Sequence, residues 1–312
     1  MISPAERANL VAFAKDSIAR GSKSFALASK LFDPETRERA WLLYAWCRAA
    51  DDIADGQEMG HGMTAVADPQ AQLSLLRDRT EAALAGETTG HEAFDALGVV
   101  IAEVEIPLRY PRDLIEGFAL DAAGFTPQSE NDLYRYCYHV AGAVGCMMAI
   151  VMGVSPDDNA TLDRACDLGI AFQLANIARD IAEDHAAGRC YLPSAWLDEM
   201  DIPRADLLGL SHRAQVAGLA GRLAERASAY EASARCGARS LCYRSAWAVL
   251  AAAGIYGDIA REVDRRGTAA LTSRVFTSRT AKLSWLARGA MQAAIRSHMR
   301  DVGRGGLWTR PT

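Results

Sequence analysis

Two stretches of this chain run almost without charge for about three helical turns and then end in aspartates set four residues apart. Residues 41–50 read WLLYAWCRAA, with Arg48 as their one charge, and lead into Asp51, Asp52 and Asp55. Residues 168–178 read LGIAFQLANIA with no charge, and Arg179, Asp180 and Asp184 follow. On a helix, Tyr44, Arg48, Asp51 and Asp55 fall within about 60° of one another, and Gln173, Asn176, Asp180 and Asp184 within about 80°. Each set is a polar stripe on an otherwise apolar rod, so both helices are expected to be largely buried.

Such stripes are costly without a purpose. Carboxylates one turn apart repel by a few tenths of a kcal/mol on a surface, and desolvation raises that cost. A divalent cation removes it: hard oxygen ligands at this spacing suit magnesium, which bridges carboxylates to substrate phosphates, and manganese is its natural substitute. Two acidic stripes facing one cavity would make a multi-metal diphosphate site, in which Arg48, Arg179 and Arg274 add fixed positive charge for a leaving group. Apolar helix walls would hold a hydrocarbon tail and keep water from a carbocation.

The rest of the chain agrees with an all-α fold. Helical periodicity recurs from end to end, and runs alternating between apolar and polar residues are almost absent. Asp33-Pro34-Glu35 reads as an N-cap, a proline in the first turn and an acid favoured by the helix dipole, opening a helix to about Asp55. Ser129 and Asp132 form a capping box for a helix to about Met152, and a third long helix follows Pro156 and reaches about His185. Residues 56–69 hold Gly56, Gly60 and Gly62 directly after the first aspartate cluster and are the expected lid. With half of its 312 residues hydrophobic, 23% charged and no linker-like tract, residues 1–312 read as one domain.

Composition also excludes some classes. A net charge of −5 argues against nucleic acid as a partner. The N-terminal residues lack the layout of an export signal, and the seven cysteines form no C-x-x-C pair, which points to a reduced, cytoplasmic protein. The uncharged run 140–154 is too short to cross a bilayer. None of the six histidines falls in a zinc-ligand pattern. From Arg261 onward eleven Arg or Lys stand against three acids, a basic end that reads either as a solvated face or as a surface for anionic lipid or diphosphate.

Five segments together resemble the squalene and phytoene synthase family across most of the chain. They are GSKSF at 21–25, YAWCRAADDIAD at 44–55, YCYHVAGAVG at 136–145, QLANIARDIAED at 173–184 and GRCYLP at 188–193. The resemblance implies a class I isoprenoid synthase fold, a single bundle of helices around a deep central cavity. It implies that Asp51, Asp55, Asn176, Asp180 and Asp184 ligate magnesium, that Arg48, Arg179, Arg274, Ser22 and Ser24 contact diphosphate, and that Tyr136 and Tyr256 sit near the reacting carbons. Phe25, Tyr44, Val140, Val144 and Gln173 belong to the same matching segments and complete the expected substrate-binding set. Tyr136, Val140 and Val144 share a helix face, beside which Gly142 and Gly145 admit close approach of another backbone or of a flat polyene.

The implied reaction joins two geranylgeranyl diphosphates head to head, through prephytoene diphosphate, to phytoene, with no need of NADPH. Three other readings stay open. One is a sibling that uses two farnesyl diphosphates, a squalene or dehydrosqualene synthase. Another is a different class I prenyltransferase or terpene cyclase, since Asp51, Asp52 and Asp55 fit D-D-x-x-D; the segments at 22–25, 136–145 and 189–193 count against it. The last is a catalytically inert member, against which the intact acidic motifs stand. An apolar product implies peripheral attachment at the inner face of the plasma membrane through the basic end, and handover to other carotenoid enzymes.

Overall fold

A computed structural model of the chain describes residues 2–56 and 68–311, and of Lys23, Ser24 and Asp55 the backbone alone. The described residues form thirteen α-helices and no strand, as the periodicity predicts. No helix among them is long and apolar enough to cross a membrane. Most of the expected lid, residues 57–67, lies outside the described residues. The chain divides into two compact units, one of Met1–Ala123 with Cys146–Asn159 and one of Gly124–Gly145 with Ala160–Thr312.

The first unit contains α1 (Pro4–Gly21), α2 (Lys23–Ser29), α3 (Pro34–Asp55), α4 (Pro69–Leu84), α5 (Glu92–Val104) and α6 (Arg109–Ala122). Local chemistry sets the ends of α3: the Asp33 carboxylate accepts from the Thr36 amide at 3.0 Å, Pro34 opens the helix, and Gly56 closes it with φ 60°, a left-handed conformation that glycine adopts without penalty. Leu42, Leu43, Ala45, Trp46 and Ala50 are buried, while Tyr44, Arg48 and Asp51 are half-buried, as a polar stripe on a buried rod requires.

Glu103 at the end of α5 ties three helices together. It accepts from Arg7 of α1 at 2.5 Å and from Arg39 of α3 at 2.9 Å, and Arg7 also reaches Glu38 of α3 at 2.7 Å. Burial pushes the Glu103 carboxyl up, but the two guanidinium groups outweigh it and hold it below the usual carboxylate range. A depressed folded-state value means stability that is present above the unfolded value and lost as pH falls through the folded one. Glu103→Gln is therefore expected to cost about 1–2 kcal/mol at neutral pH. It should also flatten the acid limb of a plot of melting temperature against pH, and an unchanged acid limb would remove this carboxylate from the account.

The second unit contains α7 (Glu130–Cys137), the first residues of α8 (Ala143–Val151), all of α9 (Asn159–Ala186) after its first residue, α10 (Ser194–Glu199), α11 (Arg213–Gly237), α12 (Tyr243–Arg266) and α13 (Arg279–Ala294). The capping box of Ser129 and Asp132 starts α7 as the sequence predicts. Between α7 and α8 the backbone makes one π-type turn, Tyr138–Gly142, that periodicity does not announce. Such turns insert one extra residue and shift the register of a helix face.

Residues after α13 strap back over the unit. Arg304 donates to Asp167 at 2.8 and 2.9 Å and to Asp163 at 3.0 Å, and Arg310 pairs with Asp163 at 2.9 Å. The Trp308 amide donates to the Tyr230 hydroxyl at 3.1 Å, and its ring lies 5.5 Å from that of Tyr138 in the π turn. Asp167 is fully buried, and a buried carboxylate is tolerable only with partners of this kind.

Candidate active site

The face of α9 that carries the predicted stripe begins as a packing face. Ala165, Cys166 and Gly169 lie on the same side of the helix as Gln173, Asn176, Asp180 and Asp184. A Cβ on Gly145 would lie 2.4 Å from the Ala165 carbonyl oxygen, one on Gly142 2.9 Å from the Cys166 sulfur, and one on Gly169 2.3 Å from the Ala141 carbonyl oxygen. The glycines of the 136–145 segment thus admit the backbone of α9. Beyond this crossing the same face turns polar, with Gln173, Asn176, Asp180 and Asp184 all half-buried and Ile170, Leu174, Ala175, Ile177, Ala178 and Ile181 buried behind them.

Asp180 is the focus of the charges on this face. Arg179 donates to it from Nε at 2.7 Å and through a second, shorter bond, and Arg274 donates to it at 3.2 Å while also pairing with Glu183. Burial works against the Arg179 charge, and Asp180 more than compensates. Asp184 lines a small, shallow recess with Arg189, Cys190 and Tyr191. The GRCYLP segment follows α9 directly, so its position by that helix is set by chain connectivity.

Aromatic rings bracket the two predicted tyrosines. Tyr136 is 3% exposed and stacks between Phe125, with ring centroids 5.6 Å apart, and Tyr191, at 4.8 Å. Tyr256 of α12 stacks on Phe172 of α9 at 4.1 Å; burial pushes its phenol up, and the nearby Arg179 charge opposes the shift. Val140 and Val144 are half-buried on either side of Gly142.

In the first unit, Arg48 pairs with Asp51 and, from Nε, with Asp52 at 3.3 Å. Asp52 has 14% of its side chain exposed against 42% for Asp51. Phe25 lies 5.6 Å from the Tyr44 ring, and a Cβ on Gly21 would meet the Tyr44 hydroxyl at 2.5 Å. The Ser22 hydroxyl oxygen caps α2, accepting from the Phe25 amide at 3.3 Å. The side chains of Ser24 and Asp55 lie outside the described residues.

Periodicity and spacing missed five residues that this geometry adds: Asp52, Phe125, Phe172, Glu183 and Tyr191. Asp52 and Glu183 carried a signal, the four-residue step from Arg48 and the charge next to Asp184. Tyr191 carried one as well, its place in the GRCYLP segment, whereas Phe125 and Phe172 carried none, because their contacts join residues from different elements.

The donor chemistry on α9 is all oxygen, two carboxylates and an amide on one half-buried face, which fits a hard divalent cation. Among the described residues no three acidic, histidine or cysteine side chains are gathered into one cluster; Asp180 is held by Arg179 and Arg274.

Comparison with known proteins places this fold and these motifs. The family described as squalene/phytoene synthase matches residues 18–283. The chain belongs to that family, whose solved members share the all-α class I isoprenoid synthase fold. It is 46% identical over 305 residues to a 15-cis-phytoene synthase of a Paracoccus species, covering 97% of this chain and 98% of that one. It is 43% identical to the 15-cis-phytoene synthase of Pantoea ananas, over 97% and 98% of the two chains. Among solved structures, a dehydrosqualene synthase in complex with ligand superposes with a TM-score of 0.81 at 26% identity, covering 93% of this chain and 98% of that one. Squalene synthase HpnC from Alicyclobacillus acidocaldarius superposes at 0.73 with 25% identity, over 85% and 97%.

Proposed function

We propose that the chain condenses two geranylgeranyl diphosphates head to head into phytoene, releasing two diphosphates, in carotenoid biosynthesis. The observation that carries this reading is the end-to-end likeness, at 46% and 43% identity, to two proteins named 15-cis-phytoene synthase. The dehydrosqualene synthase matches the fold equally fully but at 26% identity.

Asp180, Asp184 and Asn176 on α9, with Asp51 and Asp55 on α3, are the residues that would hold magnesium. When bound, the cation supplies Lewis acidity that neutralises charge on a departing diphosphate. Arg179 and Arg274 beside the carboxylates of α9, and Arg48 beside those of α3, offer fixed guanidinium donors to diphosphate oxygens, and their present carboxylate pairs keep them oriented until a diphosphate arrives. Heterolysis of one allylic C–O bond leaves an allylic cation. The double bond of the second substrate attacks it, and loss of a proton closes the cyclopropane of prephytoene diphosphate. Loss of the second diphosphate, rearrangement of the ring and a further proton loss give the triene core.

The stacked pair of Tyr256 and Phe172 would offer aromatic surface suited to cationic carbon, whereas Tyr136 has its faces against Phe125 and Tyr191. With its phenol pushed up by burial, Tyr256 keeps its proton, so the released diphosphate is the better final base.

Incubation of the purified protein and magnesium with geranylgeranyl or farnesyl diphosphate, with and without NADPH, tests the reading by mass spectrometry of the extract. A forty-carbon hydrocarbon from geranylgeranyl diphosphate without NADPH is the expected product. A thirty-carbon hydrocarbon from farnesyl diphosphate alone would replace the substrate, and no condensed product from either would end the catalytic reading.

A further inference from the structure

The inner face of α13 is locked onto α12. A Cβ on Gly289 would lie 3.0 Å from the Ala251 nitrogen, and one on Gly254 would strike the Trp285 ring. The Trp247 indole donates to the Leu286 carbonyl at 2.7 Å, and the Trp285 indole donates to Asp258. The guanidinium groups of Arg235 on α11 and Arg261 on α12 lie 5.3 and 5.7 Å from the Trp285 ring, and that of Arg288, on α13 itself, lies 5.1 Å from it. These contacts leave α13 one orientation.

That orientation turns an apolar stripe outward. Leu283, Ala287, Met291 and Ile295 follow one another at four-residue steps and are all exposed, with Leu283 at 63%, Met291 at 64% and Ile295 at 56%. Phe276, just before the helix, is 71% exposed. Four of the eleven exposed large apolar side chains among the described residues therefore fall within residues 276–295.

The charge around the stripe has one sign. No acid occurs between Asp264 and Asp301. Six of the ten arginines of this basic end are already engaged with carboxylates: Arg261 with Glu231, Arg265 and Arg266 with Glu262, Arg274 with Asp180 and Glu183, Arg304 and Arg310 with Asp163. Arg279, Arg288 and Arg300 are exposed and have no carboxylate partner among the described residues. Arg279 opens α13, and Arg288 lies midway along it, next to Ala287 of the stripe.

We propose that the outer face of α13, with Phe276, docks on a bilayer surface containing anionic lipid. A second copy of the chain would set the same cations against each other, and a nucleic acid would leave the stripe in water. An anionic bilayer takes both, the apolar side chains at the boundary with the acyl chains and the arginines among the headgroups. This narrows the role of the basic end to one rigid helix with Arg279 and Arg288 on it, and it stands apart from the catalytic reading.

Vesicle flotation without substrate tests it, using phosphatidylcholine alone and phosphatidylcholine mixed with phosphatidylglycerol. The protein is expected to float with the mixed vesicles at low salt, and less at high salt or without phosphatidylglycerol. Replacing Arg279 and Arg288 by Ser should cut partition to mixed vesicles by about tenfold or more. The Leu283→Ser, Met291→Ser, Ile295→Ser triple variant should lose partition to both kinds of vesicle, while Leu210→Ser, at an 84% exposed leucine elsewhere, should not. All of these sites are exposed, and turnover of detergent-dispersed substrate should stay unchanged. Absence of flotation at low salt, or flotation of the triple variant like the wild type, would overturn the proposal. So would a lipid-free dimer that the triple variant disperses, which would make this face a contact between copies.

Discussion

Asp180→Asn is expected to lower turnover by about a thousandfold, a loss of roughly 4 kcal/mol of transition-state stabilisation. The exchange keeps the shape of the side chain and removes one anionic oxygen. That oxygen is the point on which Arg179 and Arg274 converge, and it is one of the ligands proposed for the cation. Helix α9 should survive, because Asn and Asp have similar helix propensities and the change lies on a half-buried face. Glu183→Gln is the paired control. It also breaks a bond to Arg274, but it sits on the exposed side of the helix, so it should cost less than about tenfold. Steady-state rates with circular dichroism on both variants decide the matter. Retention of a tenth of the activity by Asp180→Asn would remove this carboxylate from the chemistry.

Gly169→Val should prevent the second unit from folding stably. The added Cβ would lie 2.3 Å from the Ala141 carbonyl oxygen, 2.6 Å from its carbon and 2.8 Å from the Gly142 Cα, all backbone atoms that no rotamer change can move. Overpacking against backbone costs about 3–5 kcal/mol, a large share of the 5–15 kcal/mol that holds a typical domain together. A fall in melting temperature of about 10 °C, or insoluble expression, is the expected result. Gly218→Ala supplies the contrast: it lies mid-helix in α11 with nothing within 4 Å of the new Cβ, so it should be neutral or stabilising by up to about 1 kcal/mol. Equal melting temperatures for the two variants would show that the crossing of α9 with the π turn has room to spare.

The two predictions rest on features of unequal legibility. The caps of α3 and α7 are local chemistry, Asp33 with Pro34 and Ser129 with Asp132, and they can be read directly from neighbouring residues. Both polar stripes were legible for the same reason, since helical spacing alone puts Asp180 beside Asn176 and Asp184. The start of α9 was less so. The helix begins at Asn159 and not directly after Pro156, because residues 155–159 close a turn in which the Asp158 amide donates to the Ser155 carbonyl. The π turn depends on what packs against it, and no window of residues 138–142 contains Gly169. The basic end shows the same limit in charge. A count from Arg261 onward gives a strong positive excess, but Glu231, Asp163, Asp167, Asp180 and Glu183 answer four of its arginines, Arg261, Arg274, Arg304 and Arg310, from other helices.

The order in which the chain visits its two units bears on how relatives can be recombined. It leaves the first unit after Ala123, returns at Cys146 and leaves again after Asn159. A single crossover between two homologous genes, placed anywhere between residues 124 and 159, would give at least one unit segments from both parents. A chimaera that keeps each unit from one parent needs all three junctions, and the second of them falls inside α8, just after the glycine that meets α9.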